Sequence, residues 1–254
     1  MRFSATLRSE WTKLVSLRST KLLVGLAIVV SLLLTALLAI IVGETFDGWS
    51  IAAKRDFDPV DTAGVGAIVT AILFLVLGVK AATSEYGSGM IRLTLTATPQ
   101  RWRVLAAKAA VVAAITCGAG LLSAVGMLLT ATLIFGSYGL ATPDLGGNAA
   151  LTAILVGSVL APQFPLIGMT LGLALRSTAA AIIATLGVLF APPFIFALLP
   201  GSWQDAVKYF PGAASDGISG AADGLAPGLS ALVVLAWLAA FLAVALVVFE
   251  RRDA

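Results

Sequence analysis

Six long stretches of this chain contain no Asp, Glu, Lys or Arg, and nothing else constrains its fold as tightly. They run from Leu22 to Val42, Ala63 to Val79, Ala109 to Phe135, Ala149 to Leu175, Ala179 to Leu199 and Leu229 to Phe249. An α-helix needs about 20 predominantly apolar residues to cross the hydrocarbon of a bilayer. In that solvent a segment must satisfy its own backbone hydrogen bonds, which leaves helices and closed barrels. The reading is an all-α integral membrane protein with six transmembrane helices, over about 22–42, 63–82, 104–135, 149–175, 179–199 and 229–249. Composition agrees: of 254 residues 59% are hydrophobic and 11% charged, against about 25% charged in soluble domains. The segments between spans reach 29 residues at most. No soluble catalytic or nucleic-acid-binding domain fits there, so residues 1–254 read as a single transmembrane domain and the basic balance reads as topology, with no nucleic acid as partner.

The charges predict the orientation. With loops assigned alternately to the two sides, thirteen Lys and Arg and four acidic residues fall on the side of the N-terminus, against three basic and nine acidic on the other. Basic loops stay inside, so both termini are expected in the cytoplasm, in a multi-pass protein of the cell membrane. The first span follows Arg2, Arg8, Lys13, Arg18 and Lys21. It is longer than a signal-peptide core of about 7 to 15 residues and no small-x-small cleavage site follows it, so it reads as a retained anchor. The single cysteine, Cys117, lies inside the third span and excludes an intrachain disulfide.

Residues 1–21 carry Phe3, Leu7, Trp11, Leu14 and Val15 at three- or four-residue spacing, with Arg8, Ser9, Thr12, Lys13 and Ser16 on the other face. This predicts an amphipathic interfacial helix, either a plain surface anchor or one that also touches a cytoplasmic partner. Between spans two and three, Ser84 is expected to cap a short helix with Glu85 in its first turn, and Gly87 and Gly89 to allow a bend. Thr98 and Pro99 have the form of a helix start. A third helix from Pro99 to Phe135 would be roughly 55 Å long at 1.5 Å per residue. Its basic start, Arg101, Arg103 and Lys108, opposes the helix dipole, so these charges answer either lipid headgroups or an acidic protein partner.

At the other end, Asp58, Pro59 and Asp61 have the form of a capped start for the second span. Pro162 and Pro165 are expected to kink the fourth helix around Gln163, either as a locally satisfied bend or as a pore-lining hinge. Gly168 and Gly172 suggest close helix packing. The segment from Pro200 to Gly228, with Trp203, Phe210 and Pro211, is too apolar for a plain solvated loop and predicts short re-entrant or interfacial helices.

Several chemistries lack a required group. There is no histidine, which removes Ser-His proteases and His-ligated zinc enzymes, and no metal site is expected. No Lys precedes Ser or Thr, so there is no phosphate-binding P-loop and the chain is not expected to hydrolyse ATP or to be an enzyme. The six apolar cores lack the ionisable residues that ion-coupled carriers place at mid-membrane.

The order of these pieces resembles the permease subunit of type-2 ATP-binding-cassette (ABC) exporters, particularly the actinobacterial ones. The resemblance rests on RSEWTKLVSLRSTK from Arg8 to Lys21, the Glu-x-x-x-Gly segment Glu85 to Gly89 leading to Pro99, LALRSTAAA from Leu173 to Ala181, and LLPGSWQDAVKYFPGAA from Leu198 to Ala214. It implies a permease homodimer or heterodimer paired with a separate ABC ATPase that binds ATP and Mg, with no cofactor in this chain. Glu85, Tyr86, Gly87, Gly89, Ile91, Arg92, Pro99 and Arg101 would form the coupling segment at the ATPase, and Arg8, Glu10, Trp11 and Lys13 the connecting helix beside it. Pro162, Gln163 and Pro165 would be a pore or hinge, and Trp203, Phe210 and Pro211 an outer gate. The expected cargo is a lipophilic or amphipathic compound, a drug, antibiotic, peptide or lipid. A membrane sensor, immunity or assembly factor, and an ion-coupled carrier, remain alternatives.

Overall fold

The computed structural model describes residues 3–87, 89–97, 100–218 and 224–251. Helix α1 (Phe3–Ser16) ends at Leu17, whose extended backbone turns the chain into α2 (Arg18–Thr45). A 3-10 turn and α3 (Ile51–Arg55) lead to α4 (Pro59–Gly64) and α5 (Ala67–Gly87). The short α6 (Met90–Ala97) precedes the long α7 (Arg101–Ser137). After α8 (Asn148–Val159) and α9 (Gln163–Leu175) come α10 (Thr178–Ala197), a 3-10 stretch (Gly201–Tyr209), α11 (Pro211–Ile218) and α12 (Pro227–Arg251). Six units are long and apolar enough to cross a membrane: Arg18–Gly48, Pro59–Gly87, Arg101–Ser137, Asn148–Leu175, Thr178–Ala197 and Pro227–Arg251.

Burial sorts these helices into a centre and a periphery. Helices α5 and α7 bury residues around most of their surface, whereas α2 buries one stripe of small residues, Ala27, Ser31, Thr35 and Ala39. Spacing of four puts that stripe on one face, and small side chains let backbones approach where lipid offers no hydrophobic drive. Outward-facing Leu33, Leu133 and Ile183 are 63%, 75% and 71% exposed. Large apolar residues exposed on every side are what a hydrocarbon solvent selects.

Several starts and stops follow local chemistry. Asp58 Oδ1 accepts from the backbone N–H of Val60 and Asp61, with Pro59 at the first helical position. Ser177 caps α10, so only a left-handed Arg176 and this cap separate it from α9. Three expected boundaries move. The span-two helix runs on to Gly87, because the break comes at Gly89 with φ of +69°; Ser84 and Glu85 therefore sit in its last turns rather than starting a new helix. Helix α7 starts at Arg101 after an extended Gln100, and the expected start at Thr98 and Pro99 lies outside the described residues. The first span begins at Arg18, because the chain turns at Leu17 and Arg18 and Lys21 can be helical residues at a surface.

The tightest packing joins α5 to α9. A side chain on Gly78 would collide with the Pro165 carbonyl, and one on Gly168 would lie 3.0 Å from Leu75 O. A Cβ at Gly172 would sit 3.1 Å from Ala82 Cβ. The fourth span is broken outright between Val159 and Gln163, as Pro162 and Pro165 require. Gly78→Ala should lower the thermal midpoint in detergent by the equivalent of about 1–3 kcal/mol or more, the usual cost of overpacking. Gly25→Ala, which meets nothing within 4 Å, should leave it unchanged or slightly raised.

Candidate functional site

An apolar helix bundle holds a charge inside only where another charge or a set of hydrogen bonds answers it. Four such charges meet at the end of the bundle that carries both ends of the described chain, called here the basic end. Glu10 on α1 is 1% exposed, Glu85 at the end of α5 is 6% and Lys108 on α7 is 2%; Lys13 on α1 completes the set. Lys108 Nζ lies 2.6 Å from Glu10 Oε2 and 2.9 Å from Glu85 Oε1. Lys13 Nζ lies 2.7 Å from Glu10 Oε1, 3.1 Å from Glu85 Oε1 and 3.0 Å from the Thr94 hydroxyl on α6. Two carboxylates and two ammonium groups thus cancel, and four helices are tied at one point.

The sequence places these groups by helical spacing. On α1, Thr6, Glu10 and Leu14 face inward at intervals of four, while Trp11 is 47% exposed. The connecting-helix residues therefore divide: Glu10 and Lys13 point into the cluster, and Arg8 and Trp11 stand outside. Burial works to lower the Lys13 pKa, but its hydrogen bond to Glu10 and the charges of Glu85 and Glu10 outweigh this and raise it above 10.5.

The coupling segment divides likewise. Glu85 turns inward, so its carboxylate is a bundle contact and not a surface for a partner; its Oε2 is buried with no hydrogen-bond partner among the described residues. Ile91 is buried beside Leu14, Leu77 and Leu105. The Arg176 guanidinium lies 5.1 Å from the Tyr86 ring centroid, and Thr83 and Thr178 share a 2.8 Å hydrogen bond, which fastens α5 to the α9–α10 turn. Gly87 and Gly89 form the bend into α6. Arg92 belongs to α6, its side chain and Pro99 lying outside the described residues. Among the described side chains, α6 presents Met90, 43% exposed, and Leu93, 70%, outward together with Thr96.

The basic start of α7 receives a different explanation from the expected one. Arg101 Nη1 donates to the carbonyls of Phe249 and Glu250, and its guanidinium lies over the Phe249 ring. A cation there answers the negative C-terminal end of α12. Lys108 answers two carboxylates of its own chain. Neither needs a headgroup or an external acid to account for it.

At the middle of the fourth span the structure joins two features that the sequence kept apart. Gln163 is 1% exposed; its Nε2 donates to Pro211 O at 2.8 Å, and the Ser215 hydroxyl lies 2.8 Å from its Oε1. The broken fourth span is thereby pinned to α11 through both polar atoms of the Gln163 amide. Pro165 packs on Gly78. Phe210 stacks in a ladder of Phe196, Phe210, Trp237 and Phe241 with centroids 5.3 to 5.8 Å apart, whereas Trp203 stands exposed. Among the described residues no three His, Cys, Asp or Glu side chains group as a metal site would need.

Sequence reasoning missed Thr94 and misassigned Lys108. The signal was available for Lys108: a lone ammonium seven residues into a helix that is otherwise apolar from Val104 onward calls for a buried partner.

Lys108→Met should leave two buried carboxylates sharing one ammonium and cost about 3–5 kcal/mol, the usual loss when one member of a buried pair is removed. Adding Glu10→Gln and Glu85→Gln should recover part of it, read as thermal midpoints in detergent. Because the folded pKa of Lys13 is raised, its contribution should be complete below pH 10.5 and disappear only as pH rises beyond that. Stability measured from pH 7 to 11 should show a late alkaline loss that Lys13→Met removes.

Residues 60–254 match the family model described as a protein of unknown function (DUF2705). The search of curated proteins returned no match.

Proposed function

We propose that this chain, which belongs to the DUF2705 family, is the membrane-spanning permease of an ABC-type exporter. It would move a lipophilic or amphipathic compound out of the cell while a separate ATPase subunit binds ATP and Mg. In this reading the basic end faces the cytoplasm, in keeping with the positive-inside rule, and two permeases, alike or different, pair with the ATPases.

One observation carries the reading. A short surface helix that turns Met90 and Leu93 outward, α6, is wired through Thr94 to a buried charge cluster that holds α1, α5 and α7 together. Nothing in that cluster is arranged to do chemistry, since its charges neutralise one another. It is suited to passing displacement from the surface into the bundle. Pulling a charged member out of the cluster would strand a buried charge at a cost of several kcal/mol, so α1, α5 and α7 move as one body, and α6 joins them through the Lys13–Thr94 hydrogen bond and the buried Ile91. Helix α5 then bears on the break in the fourth span through Gly78 and Pro165. Gln163 continues the contact at mid-span to Pro211, the first residue of α11. The docking face falls to Met90 and Leu93, with Glu85 as the anchor behind it.

The same cluster argues against an ion-coupled carrier. Its carboxylates sit at the end of the bundle and are held by two ammonium groups, instead of standing along the path at mid-depth.

The experiment is a pull-down of the tagged chain from its own membranes in mild detergent, with an ATPase assay on the eluate. A P-loop ATPase should copurify in roughly equal amount with the wild type and fall at least tenfold with Leu93→Asp or Met90→Asp, while the thermal midpoint stays put. No ATPase across several detergents would overturn the reading. Export that collapses with a protonophore while ATP persists would replace it with a carrier.

A further inference from the structure

A cavity of about 440 Å³ lies within the bundle, between α5, α7, the break in the fourth span, α10 and α11. It reaches from the middle of α7, at Ser123, to the acidic end, where α11 covers it. Its size falls in the range of sites that hold drug-sized ligands, about 300–1,000 Å³. Its walls are largely apolar, with Phe74, Phe164 and Phe190 among them.

Two hydroxyls on these walls are unlike their neighbours. A serine or threonine in a membrane helix ordinarily bonds back to a carbonyl of its own helix, as Thr83, Thr116, Thr130, Thr132, Thr170 and Thr185 do here. Thr70 on α5 and Ser123 on α7 are 7% and 1% exposed and have no hydrogen-bond partner in the described structure. A buried hydroxyl left unpaired costs about 1–3 kcal/mol. Both residues line the cavity with their oxygens buried in its wall, and a turn about χ1 would bring each hydroxyl to a ligand there.

The cavity also has a polarity. Among the described residues, Asp216 on α11 is the one ionisable residue in its lining. It is surface-exposed at that edge and in none of the ion pairs found among the described residues. A carboxylate at the margin of an apolar chamber favours a ligand that carries its positive charge at one end of an apolar body.

We propose that this cavity binds an amphipathic organic cation, with the apolar body between α5, α7 and α10, polar atoms on Thr70 and Ser123, and the charge facing Asp216. As a cargo site it deepens the exporter reading and rests on it. Binding itself needs only this chain.

The probe is rhodamine 6G, titrated by fluorescence polarisation against the full chain in phosphatidylcholine nanodiscs, whose lipid is zwitterionic and so adds little net-charge attraction for the cation. A neutral boron-dipyrromethene dye is the control. Rhodamine 6G should bind saturably. Filling the chamber with Ala71→Phe, or independently from α11 with Ala213→Phe, should weaken it at least tenfold. Asp216→Asn should weaken it about fivefold or more without affecting the neutral dye, and Thr70→Val with Ser123→Ala should weaken both dyes several-fold. Binding that does not saturate, or that both filled variants leave unchanged, would remove the site. Binding that the filled variants abolish but Asp216→Asn leaves alone would overturn the cationic class. The assay contains no ATPase, so a negative result here leaves the exporter reading standing, and loss of ATPase recruitment leaves this binding untouched.

Discussion

Two ammonium groups and two carboxylates sealed at one end of an apolar bundle set the terms for the rest of this structure. Glu10, Glu85 and Lys108 are buried and would each be costly alone; with the partly exposed Lys13 they form a neutral set, and the cost of separating them makes it a fastening. The fastening explains why α1 lies against the bundle with Glu10 inward, why α5 carries a carboxylate in its last turn, and why α7 carries a lysine two turns from its start. Apolar packing alone would leave α1 free to slide, since lipid competes equally for its leucines. Charge pairing fixes its position and rotation.

The two ends of the bundle are held by different means. The basic end uses charges and helix dipoles: the cluster, Arg101 on the last carbonyls of α12, and Arg176 over Tyr86. From mid-span towards the acidic end the bundle uses neutral hydrogen bonds and aromatic stacking, with Gln163 on Pro211, Trp237 Nε1 donating to Tyr209 O at 2.7 Å, and the Phe196 to Phe241 ladder. Between them, α5 and α9 approach through glycine with almost no intervening side chain. A push at the basic end therefore has a contiguous, closely packed route to the far end. The proposed docking face stands at the basic end of that route, and the proposed cargo cavity is bounded by the helices along it.

How far the sequence could be read depended on whether the deciding interaction was local. The Asp58 cap and the bend at Pro162 and Pro165 each need only neighbours along the chain, and both were legible. Glu85 was not, because whether a carboxylate near a helix end faces solvent or a lysine on another helix is invisible to spacing. Read locally it looked like the first turn of a new helix; a break at Gly89 makes it the last turn of an old one. Gln163 was recognised as an unusual residue, but its partner lies 48 positions away on α11. Thr70 and Ser123 drew no notice, since in sequence they are two of many small hydroxyls in apolar helices.

The sequence by itself determined the solvent and the secondary structure. Six charge-free stretches admit helices long enough to cross a membrane, because hydrocarbon leaves backbone groups no external partner, and the uneven loop charges distinguish one end from the other. Only the tertiary structure decided which charges are buried together, which face of α6 remains outward, and where the bundle leaves a chamber. Those outcomes depend on the rotation of each helix about its own axis. Rotation is set by side chains meeting across distant parts of the chain, as Glu10 meets Lys108, and an apolar stretch looks the same whichever way it turns.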